Sequence, residues 1–135
     1  MNYIEKIENL NVPFLKKLIL SGNQIKYLEN IEHLQYLEHL DLSKNKIEEL
    51  GCLGLPPQYK NLKIFVCSNN LLSMNYLDEL IYTAQNLPNI EELDFVGNEL
   101  TAHKQYKYKF LYFHTLQRLD GIELKGILKN HLEVL

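Results

Sequence analysis

His39 and Asp41 stand two residues apart, with His33 close upstream. An imidazole beside a carboxylate is the beginning of a metal or acid–base site. Such a site needs a third ligand, or a nucleophile with an orienting group, and none stands at suitable spacing. No Gly-rich phosphate loop, nucleophile elbow or Cys-x-x-Cys motif occurs. Cys52 and Cys67 are too few for a disulfide framework and read as reduced thiols of a cytoplasmic protein. The segment His103-Lys104-Gln105-Tyr106-Lys107-Tyr108-Lys109 interleaves basic and aromatic side chains, a pattern that suits nucleic acid or the acidic surface of a microtubule. Its favoured reading is the outer face of a capping helix. The residues therefore predict no enzyme, no catalytic residues, no metal and no cofactor.

The bulk properties agree. The chain has 135 residues and a formal net charge of −3. One domain fits that length, and a mildly acidic chain offers no electrostatic case for nucleic-acid binding. No apolar run is long enough to span a bilayer, and the first residues lack the basic and apolar stretches of a secretory leader, so no membrane partner is expected.

What organises the sequence is a repeat. Leu15, Leu18, Leu20, Asn23 and Ile25 fit L-x-x-L-x-L-x-x-N-x-I, and Leu37, Leu40, Leu42, Asn45 and Ile47 fit it again. Leu62, Phe65, Cys67, Asn70 and Leu72 form a third copy, and Ile90, Leu93, Phe95, Asn98 and Leu100 a fourth. A strand at the L-x-L core sends alternate side chains inward and outward. Inward leucines of successive coils stack into a column that no coil can bury alone. Asn23, Asn45, Asn70 and Asn98 are expected to turn inward as a structural ladder that satisfies backbone groups left unpaired by the bend. Cys67 takes an inward leucine position and reads as a small buried hydrophobe.

The expected fold is α/β: a leucine-rich-repeat solenoid with a short parallel sheet on its concave face and helices or turns on its convex face. The repeat domain spans 1–121, with four full repeats, a partial one in front, and a cap over about 101–121. Residues 122–135 form a candidate amphipathic tail helix. Gly51-Cys52-Leu53-Gly54-Leu55-Pro56-Pro57 reads as a convex turn. Leu77, Leu80, Ile81, Ala84 and Leu87 have helical spacing, which predicts a helix ended by Pro88. The cap is expected to contain a helix and one last strand-like segment. Asn2-Tyr3-Ile4 aligns with Asn23-Gln24-Ile25, so the chain begins mid-coil. That predicts either a truncated chain or an apolar front face available for self-association.

The outward residues of the strands form the candidate partner-binding surface: Lys17, Ile19, His39, Asp41, Ile64, Val66, Glu92, Asp94 and Val96. Ser21, Ser43 and Ser68 continue it. Ile64 and Val66, flanked by Ile19 and Val96, predict an exposed apolar stripe on a face that is ordinarily polar, and such a stripe marks an interface. Lys17, Asp41, Glu92 and Asp94 would orient the partner.

These repeats resemble the SDS22-like leucine-rich-repeat class, and Tyr106-Lys107 with Leu119-Asp120-Gly121 resembles its C-terminal cap. His114-Thr115 departs from the Leu-Pro usual in that cap. Within the class, Ile4-Glu5-Lys6-Ile7, Leu62-Lys63-Ile64, Ser68-Asn69-Asn70 and Phe95-Val96-Gly97-Asn98 resemble the axonemal dynein light chain 1 family. That resemblance implies a binding subunit, a dynein heavy chain as protein partner, microtubules as a further contact, and an axonemal location in the cilium or flagellum. The regulatory subunits of protein phosphatase 1 in the same class imply the alternative, docking on an enzyme.

Overall fold

A computed structural model describes residues 2–54, 59–111 and 113–124. Four three-residue strands carry the repeat: β1 (Lys17–Ile19), β2 (His39–Asp41), β3 (Ile64–Val66) and β4 (Glu92–Asp94). Each pairs in parallel with the next, with Leu18, Leu40, Phe65 and Leu93 in register. Parallel neighbours need a crossover, so every coil travels out over the convex side before its next strand. Then β5 (Arg118–Leu119) pairs in parallel with β4, and β6 (Ile122–Glu123) turns back antiparallel. The sheet runs in simple sequence order.

The central residue of each repeat strand points inward and is buried. Behind the sheet, Ile25, Leu34, Leu37, Leu42, Ile47, Leu62, Leu72 and Leu100 have no exposed surface. The filling changes along the axis. Leucines dominate the first two coils, whereas Phe65, Phe95 and Phe110 follow one another at centroid separations of 6.0 and 6.3 Å, with Tyr106 at 5.3 Å from Phe110. The larger rings fill the wider cross-section where coil spacing grows from 22 residues (Leu15 to Leu37) to 28 (Leu62 to Ile90).

The longest coil contains helix α1 (Leu77–Gln85). Asp78 and Glu79 in its first turn favour the positive end of its dipole, and Leu77, Leu80 and Ala84 face the core. It stops ahead of Pro88, as the spacing predicts. Thr83 is buried against Gly54, where an added Cβ would lie 3.1 Å from its Oγ1. A larger residue at 54 would push the helix away from the neighbouring 3-10 turn, Gly51–Gly54. The rest of the predicted convex turn, 55–57, lies outside the described residues.

Two expectations need correction. The cap holds two 3-10 turns, Glu99–Ala102 and Lys107–Phe110, in place of a regular helix. Tyr106 and Phe110 must both point inward there, and the short turns set them side by side. Second, Ile122 and Glu123 belong to β6, not to a helix. Asp120 (φ 54°) and Gly121 (φ 80°) are both left-handed, the geometry of a two-residue hairpin, so the chain reverses at once. Leu124 is buried on the core, and the remainder of the predicted tail helix lies outside the described residues.

Candidate partner-binding surface

The inner ladder positions the outer surface. Asn45 accepts the Ile25 N–H at 3.0 Å and donates to the carbonyls of Leu20 and Leu42. Asn70 accepts from Ile47 and donates to Leu42 and Cys67, and Asn98 accepts from Leu72 and donates to Cys67 and Phe95. Each amide thus ties its own strand end to the coil before it. The three are buried, so their bonds cannot be exchanged for water. Asn23 accepts from Ile4 of the segment before it and donates to Leu20 and Ser21 of its own coil, without a carbonyl bond to the preceding segment, and is only half-buried at the front of the stack.

The residue before each ladder asparagine is left-handed: Gly22 (φ 73°), Lys44 (φ 57°), Asn69 (φ 54°) and Gly97 (φ 84°). This bend was missed in the sequence, although glycine or asparagine at three of the four positions carries the signal. Gly97 is the tightest case, since a Cβ there would overlap the Asn69 amide.

At the back of the sheet a carboxylate replaces a backbone carbonyl. The N–H groups of Leu20, Leu42 and Cys67 donate to the carbonyls of Asp41, Val66 and Asp94 in the following coil. The equivalent Phe95 N–H donates to Asp120 Oδ1 at 2.7 Å, because the hairpin turns the Asp120 backbone away. Tyr106 Oη donates to Asp120 Oδ2 at 2.8 Å. Burial raises the pKa of Asp120, partly offset by these two donors. Burial, then the Asp120 charge, pushes the Tyr106 phenol up.

The outward residues lie in rows across the sheet. One row is Lys17, His39, Ile64, Glu92 and Arg118, and the next is Ile19, Asp41, Val66 and Asp94. Val96 lies one step beyond Asp94 along the strand direction and, with Ser21, Ser43 and Ser68, falls in a third row joined by backbone hydrogen bonds. The apolar residues do not form an open stripe. Ile64 and Val66 are half-buried between acidic and imidazole neighbours, while Ile19 (46% exposed) and Val96 (49% exposed) carry the open apolar surface on either side. Central strands are shielded by neighbours on both sides, and that lateral cover is absent from a single-strand pattern.

Charge surrounds this centre. Asp41 Oδ1 accepts from the Ser43 N–H and hydroxyl at 2.9 and 2.7 Å, which fixes the carboxylate beside Val66. Asp94 Oδ1 holds the Val96 N–H at 3.0 Å. Arg118 bridges Glu92 (3.8 Å) and Glu123 (3.5 Å). Sequence reasoning did not include Arg118, which a fifth L-x-x-L match at Leu116 and Leu119 would have placed on this face.

The residues first weighed for chemistry take other roles. His33 bonds the Leu10 carbonyl, and His39 stays on the sheet face. Among the described residues no group of three or more His, Cys, Asp or Glu is placed to hold a metal ion. Cys67 is buried and its thiol is pushed up by burial. Cys52 donates to the Leu28 carbonyl, and burial with the nearby Glu32 carboxylate raises it to about 11, so neither thiol is an activated nucleophile. In the basic segment Tyr106 faces the core, Lys104 and Lys107 face outward, and Lys109 reaches Asp78 at 3.4 Å. No helix among the described residues is long and apolar enough to cross a membrane.

Parallel in-register strands, an inward apolar column and an asparagine ladder recur together in the four repeat coils. The fold is a leucine-rich-repeat solenoid. Residues 13–57 match the family description "Leucine Rich repeats (2 copies)". A chain of the Drosophila melanogaster SNF/U2A' complex superposes on the solenoid with a TM-score of 0.73, at 23% identity, over 98% of this chain and 83% of that one. The Chaetomium Mex67:Mtr2 subunits give a TM-score of 0.55, also at 23% identity, over 77% of this chain and 75% of that one. Among curated proteins, human leucine-rich repeat-containing protein 43 is 33% identical over 64% of this chain. Human leucine-rich repeats and immunoglobulin-like domains protein 3 is 30% identical over 93% of it. The solenoid spans only 13% and 12% of those two relatives.

Proposed function

We propose that the solenoid is a non-catalytic protein-interaction module whose concave sheet, centred on Ile64 and Val66, receives a protein partner. The observation that carries this is the outward face itself. Its apolar centre is bounded by oriented carboxylates, whereas the inward positions of the same strands are fully spent on stacking. An apolar patch with a charged rim is the arrangement of a protein interface. Ile64→Asp combined with Val66→Asp should abolish partner capture in a pull-down, with urea unfolding still cooperative. Retained capture by that folded variant would remove this surface from consideration.

The partner we favour is a dynein heavy chain, which makes the solenoid a light-chain-like subunit in the cytoplasm and the ciliary or flagellar axoneme. Support comes from the stretches Ile4–Ile7, Leu62–Ile64, Ser68–Asn70 and Phe95–Asn98, and the outward lysines 104 and 107 offer a cationic contact for a microtubule. Docking on a phosphatase catalytic subunit is the alternative. Co-purification from ciliated cells separates the two: a motor heavy chain supports the first and a phosphatase the second.

A further inference from the structure

Beside the concave sheet, where β3 and β4 meet the cap, lies a cleft of about 680 Å³. Its apolar lining includes Ile64, Leu111, Phe113 and Leu116. Glu91, Glu92 and Glu123 also line it, against the single guanidinium of Arg118. Arg118 is already engaged by Glu92 and Glu123, so the cleft keeps an excess of negative charge over an apolar floor. The acidic character continues onto the sheet, where Asp41 and Asp94 stand in register on either side of Val66. Adjacent strands lie about 4.8 Å apart, so the strands that carry these two carboxylates run roughly 10 Å from each other with one apolar residue between them. That separation matches the width of an α-helix with its side chains, about 10–12 Å.

Resting on the concave-face reading above, we propose that the occupant is a cationic amphipathic helix of the protein partner. Its apolar stripe lies along Val66 and Ile64 and ends in the cleft against Phe113 and Leu116. Its flanking Lys or Arg side chains face Asp41 on one side and Asp94, Glu91 and Glu123 on the other. The apolar contact supplies burial, and the carboxylate borders set orientation and reject acidic helices.

The test uses the full chain and two labelled synthetic helices of equal length, one built of Leu and Lys and one of Leu and Glu, read by fluorescence anisotropy. The Leu/Lys helix is expected to bind, with affinity falling as salt is raised, and the Leu/Glu helix to bind at least about tenfold more weakly. Glu91→Lys combined with Glu123→Lys should weaken the Leu/Lys helix about tenfold while circular dichroism and urea unfolding stay near those of the parent. Equal binding of both helices, or no effect of the charge reversal in a folded variant, overturns the proposal. Should Val66→Asp abolish partner capture while the charge reversal leaves it intact, the concave-face reading stands and the cationic-helix assignment fails. Concentration-dependent dimerisation that Glu91→Lys and Glu123→Lys abolish would make a second copy the occupant and also overturn it.

Discussion

Strand β3 shows two kinds of residue position side by side. Phe65 points inward and meets Phe95, while Ile64 and Val66, its immediate neighbours, point outward between charged strands. Across the repeats the inward positions are nearly interchangeable: Leu18, Leu40, Phe65, Leu93 and Leu119 all serve one column. The outward ones are not: Lys17, His39, Ile64, Glu92 and Arg118 share a row and almost no chemistry. Positions that every coil fills alike answer to stacking. Those that each coil fills differently are free to answer to a partner.

Substitutions on the two faces of β3 sharpen that contrast first. Phe65→Ala should cost about 3–5 kcal/mol of unfolding free energy, because the ring leaves a cavity that neighbouring coils cannot close. Ile64→Asp and Val66→Asp should each cost about 1–2 kcal/mol in urea titrations, less than the inward ring, since both side chains stay in reach of water although the new carboxylate lies in a strand beside Glu92 or between Asp41 and Asp94. Similar losses on both faces would break the comparison.

The ladder gives the next effect. Asn70→Ala should destabilise by about 2–4 kcal/mol, because the Ile47 N–H and the Leu42 and Cys67 carbonyls lose a buried partner together. Asn23→Ala, at the half-buried end, should cost about 1 kcal/mol or less. Equal costs, measured by the same titration, would contradict a ladder whose strength comes from burial.

A smaller effect concerns the closing hairpin. Asp120 has a raised pKa in the folded state, so folding there favours the protonated acid. Its contribution to stability is present at low pH and is lost as pH rises through the folded pKa. Asp120→Asn keeps an acceptor for the Phe95 N–H and tolerates the left-handed turn, so it should flatten that part of the stability–pH profile. An unchanged profile would show that the carboxylate does not titrate with folding. The smallest effect belongs to Lys44, the non-glycine, non-asparagine member of the left-handed bends. Lys44→Gly should raise stability by up to about 1 kcal/mol in thermal unfolding, whereas Gly97→Ala should lower it.

The column and the ladder positions were legible in the sequence because neighbouring coils repeat them, and helix α1 because its own apolar spacing is local. The half-burial of Ile64 and Val66 was not, since it comes from strands on both sides. The aromatic stretch before Phe113 supported a helix as readily as two short turns, and only the joint burial of Tyr106 and Phe110 decides between them. Asp120-Gly121 carried a hairpin signal that an expected tail helix concealed. The cleft was illegible because Ile64, Glu91 and Phe113 meet only when coils and cap are assembled.

Photo-cross-linking compares the two sides of the molecule most directly. A photoreactive phenylalanine analogue replaces Val66 on the sheet in one variant and the exposed Tyr82 of α1 in another, and both are irradiated with the partner-containing extract. A protein adduct is expected at position 66 and none at 82. An adduct at 82 without one at 66 would contradict the concave-face reading.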